Sequence, residues 1–278
     1  MPIHDQGYRH YEGAKARGGA WLVMFRTGVL GMFSNRRWIV LMIASWIQFI
    51  VRAVQFYFAA NFSQAAIAAP TAQTFRDFFD YQSIFVFLVT VTLGAVSIAE
   101  DRRANALQIY LSKPLTRLEY IAGKLSVLMA VILFITWAPA ILLLIVEIAF
   151  AGNFTFFVHN LYLVPAITVF ALIEALMVSM CILALSSLST NSRFVGILFT
   201  ALIFFSDAVA GVLRGVTGGT SLSWVAFSNN LAQVGDVIFR VQPRYDMPWA
   251  VSLAIVLGLI GASALVLERR IRGVEIVA

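Results

Sequence analysis

The chain has 278 residues, of which 60% are hydrophobic and 12% are charged, and its mean hydropathy is +0.86. Soluble globular proteins are about 45–50% apolar, so this composition excludes that class and indicates an integral membrane protein. The net charge of +6 does not indicate nucleic-acid binding, because the basic residues form short clusters beside apolar stretches. The single cysteine, Cys181, excludes an intramolecular disulfide and a multi-cysteine metal site.

Residues 1–37 are predicted to form a cytoplasmic arm followed by an interfacial helix. The arm is polar, so we expect no cleavable signal peptide. Apolar side chains then recur at every fourth position, at Trp21, Phe25, Val29 and Phe33. This amphipathic stripe favours a helix that lies in the membrane interface, although an ordinary packed helix would show the same spacing.

Residues 38–267 are predicted to form one transmembrane domain, which makes the fold class an all-α membrane protein. A helix needs about 20 mostly apolar residues to cross the hydrocarbon core. Six stretches meet that requirement, at residues 38–60, 83–99, 125–149, 161–188, 194–213 and 248–267. Pro139 is expected to kink the third span, whereas Pro165 suits the first turn of the fourth.

The distribution of Lys and Arg predicts that both termini are cytoplasmic, including a tail at residues 268–278. One side of the predicted spans holds the Lys and Arg residues before position 38, five more between residues 100 and 124, and Arg193, Arg269, Arg270 and Arg272. The other side holds only Arg76, Arg214, Arg240 and Arg244. The loop at residues 100–124 is therefore expected in the cytoplasm.

This charged loop, residues 100–124, is predicted to contain two short helices. Good helix formers run from Asp101 to Leu111, and Pro114 then prevents simple continuation of that helix. Thr116 and Glu119 have the spacing of a capping box, which starts the next helix. A solvated loop and a docking element for a partner protein both fit this pattern.

On the outer side, residues 214–247 are predicted to contain an amphipathic helix. Its apolar face carries Leu231, Val234, Ile238 and Val241, and its opposite face carries Asn229, Gln233, Asp236 and Arg240. Such a helix either dips into the outer leaflet or caps a cavity. The first outer loop is predicted at residues 61–82.

Four ionisable residues fall inside the predicted spans, namely Arg52, Glu147, Glu174 and Asp207. Such residues are rare in hydrocarbon because their burial is costly, so a partner or water is expected. We predict that Arg52 pairs with Glu174 or Asp207, either as a structural salt bridge or as part of a polar pathway. Glu174 lies near the predicted midplane and is expected to face an internal cavity or a subunit seam.

Catalytic and nucleotide-binding motifs are missing from the sequence. It contains no G-x-x-x-x-G-K-[ST], no H-E-x-x-H and no G-x-S-x-G. We therefore expect the chain to bind neither ATP nor a metal by itself and to have no catalytic residue.

The layout of the predicted helices resembles that of the type 2 permeases of ATP-binding-cassette exporters. The motif that carries the resemblance is IAEDRRANALQIYLSKPLTRLEYIAGKL, residues 98–125. It is similar to that family's acidic and basic turn, Ser-Lys-Pro-Leu-Thr-Arg step and Tyr-x-x-Gly-Lys start of the third span. The resemblance covers the whole chain in architecture, but only this stretch in motif.

The resemblance implies that the first cytoplasmic loop is a coupling helix that docks on an ATPase subunit. The residues that would make the docking contacts are Asp101, Arg102, Arg103, Asn105, Gln108 and Leu111. Two ATPase subunits would carry the ATP and Mg, and this chain would pair with a second permease, identical or homologous. The implied location is the bacterial cytoplasmic membrane, with both termini cytoplasmic and no cofactor on this chain.

Three other classes of protein remain open from the sequence. A secondary transporter or channel would use Arg52, Glu174 and Asp207 for ion coupling and would work without an ATPase. A membrane enzyme would need a polar cluster at one depth. A membrane anchor or sensor would be stable without a nucleotide-binding partner. The sequence does not indicate the substrate.

Overall fold

The computed structural model describes residues 19–33, 36–62, 69–106, 116–152 and 154–271, and the regular structure of these residues is helical. The α-helices are α1 (Ala20–Phe33), α2 (Arg36–Ser45), α3 (Ile47–Asn61), α4 (Ala72–Val89), α5 (Ala95–Arg103), α6 (Arg117–Ile135), α7 (Trp137–Ala151), α8 (Thr155–His159), α9 (Leu163–Leu188), α10 (Ser192–Thr217), α11 (Phe227–Ile238) and α12 (Trp249–Arg270). A π-helical segment, Thr90–Gly94, joins α4 to α5.

Six helical stretches of the described residues are long and apolar enough to cross a membrane. They are Trp38–Asn61, Ala72–Arg103, Arg117–Ala151, Leu163–Leu188, Ser192–Thr217 and Trp249–Arg270. Their number agrees with the prediction and indicates an integral membrane protein. Because a helix satisfies its backbone hydrogen bonds within itself, such stretches suit a solvent that offers none.

The fourth span, α9, is the centre of the bundle. It contacts α5, α6, α10, α11 and α12, and 72% of its apolar 18-residue stretch is buried. The end of the bundle at which α5 ends and α6 begins is called the loop end below. The opposite end, at which α4 begins and α11 lies, is called the far end.

The second span begins eleven residues earlier than predicted, at Ala72 instead of residue 83. Thr71 starts it through a capping box, in which its side chain accepts a hydrogen bond from the Thr74 amide at 3.3 Å. The prediction of a loop through residue 82 was therefore wrong. The charged residues of this stretch indicated a loop in water, because their distant partners, Asp236 and Arg244, cannot be recognised from the local sequence.

The third span is interrupted near Pro139, as predicted. Helix α6 ends at Ile135, and α7 begins at Trp137. Proline has no amide proton, so it cannot bond to the carbonyl four residues before it. The carbonyl of Ile135 instead accepts a hydrogen bond from the side-chain amide of Gln82 at 2.5 Å. Gln82 is buried in the second span and thereby ties that span to the kink.

Helix α1 packs along α6 at the loop end. A Cβ atom on Gly123 would lie 2.9 Å from Cβ of Met24, and one on Gly28 would lie 2.7 Å from Cγ2 of Val127. These glycines therefore permit a close helix crossing. The predicted helix exists, and the structure shows that it packs against the third span.

The charged loop differs from its prediction at its start. Asp101, Arg102 and Arg103 are the last residues of α5, so the second span continues through them. The helix then ends in a turn, where Asn105 has a φ of 53°, a conformation that asparagine tolerates better than most residues. The predicted single helix from Asp101 to Leu111 was therefore wrong at its beginning.

The capping box at the start of the third span is confirmed. The Thr116 hydroxyl accepts a hydrogen bond from the Glu119 amide at 3.2 Å, and the Thr116 amide donates to the Glu119 carboxylate at 2.9 Å. Gln108, Leu111 and Pro114 lie outside the described residues.

Candidate functional site

A cavity of about 400 Å³ extends from the far end toward the middle of the bundle, between α4, α9, α10 and α11. Six phenylalanines line it, namely Phe79, Phe87, Phe170, Phe199, Phe204 and Phe227. The ionisable residues of its wall are Arg76, Asp80, Glu174, Asp207, Arg244 and Tyr245. A mostly apolar pocket with a few convergent polar groups is typical of a ligand-binding site.

Three charged residues of the wall, Arg76, Asp80 and Arg244, form a closed ionic network with Asp236 of α11. Nε of Arg76 lies 2.9 Å from Oδ1 of Asp236, and its Nη1 lies 2.7 Å from Oδ1 of Asp80. Nη1 of Arg244 lies 2.5 Å from Oδ2 of Asp80, and its Nε lies 3.3 Å from Oδ2 of Asp236. Two positive and two negative charges therefore balance. Burial raises the pKa of Asp236, and Arg76 and Arg244 oppose that rise.

The network fastens α11 to the second span. Arg76 comes from α4 and is 1% exposed, and Asp236 comes from α11 and is fully buried. Nη2 of Arg76 also donates to the carbonyl of Ala232 at 3.1 Å. Helix α11 thus contributes residues to the cavity wall, and its polar residues Gln233 and Asp236 are buried.

The segment that carries Arg244 is held against α11 by further hydrogen bonds. The Tyr245 hydroxyl donates to Oδ1 of Asn229 at 2.7 Å. The Gln233 amide donates to the carbonyls of Tyr245 and Met247, at 3.2 Å and 2.9 Å. These contacts position the second arginine of the network.

Gly235 lets Arg76 reach Asp236. A Cβ atom at residue 235 would lie 2.7 Å from Nε of Arg76 and 2.7 Å from Cε2 of Phe170. We expect Gly235→Ala to lower the free energy of unfolding by about 2 kcal/mol, because the overlap forces the buried guanidinium to move. Thermal unfolding in detergent micelles measures this. Gly211→Ala is the matched control, since nothing lies within 4 Å of its added Cβ, and an equal loss in both variants would contradict the prediction.

Two carboxylates of the cavity wall lie outside the network. Glu174, on α9, is 3% exposed, and its Oε2 has no hydrogen-bond partner among the described residues. Asp207, on α10, is half-buried and accepts hydrogen bonds from the Ser228 hydroxyl at 2.7 Å to both oxygens. Two of the four ionisable residues of the predicted spans, Glu174 and Asp207, thus line the same cavity. A cavity-facing position was expected for Glu174.

The predicted pairing of Arg52 was wrong. Its Nη1 donates to Oε1 of Gln55 at 2.8 Å, and its guanidinium lies 5.3 Å from the centre of the Tyr81 ring. Glu147 lies apart from the cavity, in a separate pocket of about 250 Å³ beside Phe56. These two residues therefore do not contribute to the site.

The sequence interpretation missed the network, since it placed Arg76 and Asp80 in a loop and left Arg244 and Asp236 without roles. One signal was available. Arg76 and Asp80 have the i, i+4 spacing of a helical ion pair, and Thr71 precedes them as a helix cap.

A second group of contacts lies at the loop end. Oδ2 of Asp101 lies 2.7 Å from Nζ of Lys124 and accepts a hydrogen bond from the Tyr120 hydroxyl at 2.7 Å. Arg102 donates to the Ser187 carbonyl. These two predicted docking residues therefore bond within the chain, whereas the Arg103 side chain is 68% exposed.

Comparison with known proteins does not assign a family. No family model matches the chain, and no curated protein matches it significantly.

Proposed function

We propose that this chain is the transmembrane permease subunit of an ATP-driven exporter of the type 2 class. In this proposal a separate ATPase, present in two copies, binds ATP and Mg, and a second permease completes the membrane part in the bacterial cytoplasmic membrane. The chain itself is not an enzyme. It converts movement of the ATPase into a displacement of the cavity wall.

One observation carries the proposal. The second span, Ala72–Arg103, is continuous from the cavity, where it supplies Arg76 and Asp80, to the charged loop, where it ends at Arg103. A displacement at the loop would therefore be transmitted along one element to the cavity wall. The π-helical segment at its middle, Thr90–Gly94, is a feature often found at functional sites.

The contacts at the loop end refine which residues would dock on the ATPase. Asp101 and Arg102 bond to the third and fourth spans, so they would transmit force within the permease. Arg103 is exposed at the last position of the span, and Asn105 is exposed in the turn that follows it. Docking would therefore begin at Arg103 and continue through the segment that contains Gln108 and Leu111.

A secondary transporter is the second candidate, and a specific observation favours it. Glu174 is a buried carboxylate in a span, and its Oε2 has no hydrogen-bond partner among the described residues. Such groups often serve ion or proton coupling. This candidate predicts transport by the purified chain alone under an ion gradient, whereas our proposal predicts none without ATP and the ATPase.

Charge reversal at the exposed arginine tests docking. We expect Arg103→Glu to reduce recovery of the ATPase with the tagged permease by about tenfold. The new carboxylate would repel the acidic groups of an ATPase surface that binds the arginine, and like charges at an interface oppose association. Co-purification and ATP hydrolysis by the complex are the measurements. Arg270→Glu, an exposed arginine at the same end of the bundle, is the control. Unchanged assembly of Arg103→Glu, or equal losses in both variants, would contradict the docking proposal.

A further inference from the structure

We propose that the cavity binds a lipophilic organic cation, such as an amine or onium compound with an apolar body. This inference deepens the proposed function, because it names the substrate class for the same cavity. It rests on that function only for the statement that the bound molecule is transported. Binding itself would be a property of this chain.

The charges of the wall carry the first step. Arg76 and Arg244 are neutralised by Asp80 and Asp236, at the distances given above. The remaining ionisable carboxyl groups of the wall, on Glu174 and Asp207, form no salt bridge with a described residue, and Arg76, which attracts the Glu174 carboxylate from a distance, is already paired with Asp80 and Asp236. Their ionised forms would leave the cavity with an excess of two negative charges, which favours a cation over an anion.

The burial of Glu174 carries the second step. An ionised carboxylate that is removed from water without a counter-charge is strongly disfavoured. Oε2 of Glu174 has no hydrogen-bond partner within the described chain, and the side chain lines the cavity. A ligand that brings a positive charge to this position would supply the missing partner.

The aromatic wall carries the third step. Ring faces attract cations, and the attraction increases when the cation is removed from water. Phe87, Phe199 and Phe204 line the cavity together with Asp207, and the volume suits a small organic molecule. The same wall would accommodate the apolar body of the ligand.

A bare metal ion fits the site less well than an organic cation. The described residues contain no group of three or more His, Cys, Asp and Glu residues that could hold a metal ion. Divalent metals in proteins usually have several oxygen or nitrogen ligands around them. A mostly phenylalanine wall does not provide that shell.

Binding of radiolabelled tetraphenylphosphonium to the purified full-length chain in detergent micelles tests the inference. This probe has a permanent positive charge and four phenyl groups, but no hydrogen-bond donor. We expect saturable binding by the wild type and about tenfold weaker binding by Glu174→Gln, because the amide removes the countercharge. Tetraphenylborate, a similarly shaped anion, should show no saturable binding.

Glu147→Gln is the matched control, because Glu147 is also a buried carboxylate whose Oε2 has no hydrogen-bond partner in the described part of the chain, but it lines a different pocket. Asp207→Asn provides a second test if Glu174→Gln fails to fold, and it should also weaken binding of the phosphonium. The inference is overturned by the absence of saturable binding to the wild type, by equal binding of both probes, or by unchanged affinity in the cavity variants. None of these measurements involves an ATPase, so a failure here is distinct from a failure of the docking test.

Discussion

Replacing Arg76 with methionine is expected to lower the free energy of unfolding by about 3–5 kcal/mol, the range seen when one partner of a buried ion pair is removed. The guanidinium is 1% exposed and is the only side chain of the second span that bonds to Asp236 within the described residues. Its removal leaves Asp236, which is fully buried, with Arg244 at 3.3 Å as its only charged partner in the part of the chain that the structure describes. The far end should therefore loosen where α11 meets α4.

Cys181 provides the measurement for this prediction. It is the only cysteine of the chain and is 4% exposed, so a thiol-reactive fluorophore reports its exposure on unfolding. Arg103→Met is the control, because that arginine is exposed and its contact with Glu100, at 3.8 Å, is a surface pair worth about 0–1 kcal/mol. The double variant Arg76→Met/Asp236→Leu should recover part of the loss, since it removes both buried charges. A loss no larger than that of Arg103→Met would refute the structural role of the network.

Replacing Ser186 with alanine is expected to lower the free energy of unfolding by about 3 kcal/mol, because buried backbone groups lose their side-chain partner. The Ser186 hydroxyl accepts hydrogen bonds from the amides of Ile98 and Ala99, at 3.1 Å and 2.9 Å. It also donates to the Ala95 carbonyl at 3.0 Å. This side chain thus bonds α9 to α5 directly after the π-helical segment, which interrupts the regular helical hydrogen bonds.

Ser187→Ala is the matched control for this prediction. Ser187 is the next residue and is equally buried, but among the described residues its hydroxyl bonds only to the carbonyl of Ala184 at 2.7 Å, within the same helix. We expect this control to lose less than about 1 kcal/mol. Unfolding followed through Cys181 compares the two variants. Similar stabilities would show that the bonds to α5 contribute little, and the second span would then be less firmly attached to α9 than the coupling proposal requires.

Apolar length predicted the spans, and local chemistry predicted where the third span begins and where it bends. The capping box at Thr116 and the interruption near Pro139 depend on residues within one turn of each other. Such features are visible in sequence because their partners are close along the chain. The six spans were predictable for a similar reason, since each needs only its own apolar residues.

The complete ionic network could not be predicted, because the pairs that join its two parts are distant in sequence. Arg76 and Asp236 are 160 residues apart, and nothing in either local pattern indicates the other. Both side chains are charged, which favours an exposed position, and Arg76 was therefore placed in a loop. The same limit explains Arg52, because its predicted partners, Glu174 and Asp207, are distant in sequence and its observed partner is Gln55.

The glycines show a related limit. In the sequence Gly235 cannot be distinguished from other helical glycines, but in the structure Arg76 and Phe170 lie where its Cβ atom would be. Gly94 is similar, since a Cβ atom there would lie 2.5 Å from Cγ2 of Ile182. Close approach between two helices is a property of the fold, and one sequence gives no measure of it.

Site-specific photo-crosslinking in native membranes tests the central claim most directly, because it asks what lies against the end of the second span. A photoreactive amino acid would replace Arg103 in one variant and Arg270 in another, and mass spectrometry would identify the adducts. Our account predicts that residue 103, and not residue 270, crosslinks to a protein with a G-x-x-x-x-G-K-[ST] phosphate-binding loop. Adducts at residue 103 without any nucleotide-binding protein, together with ion-driven transport by the purified chain alone, would contradict it.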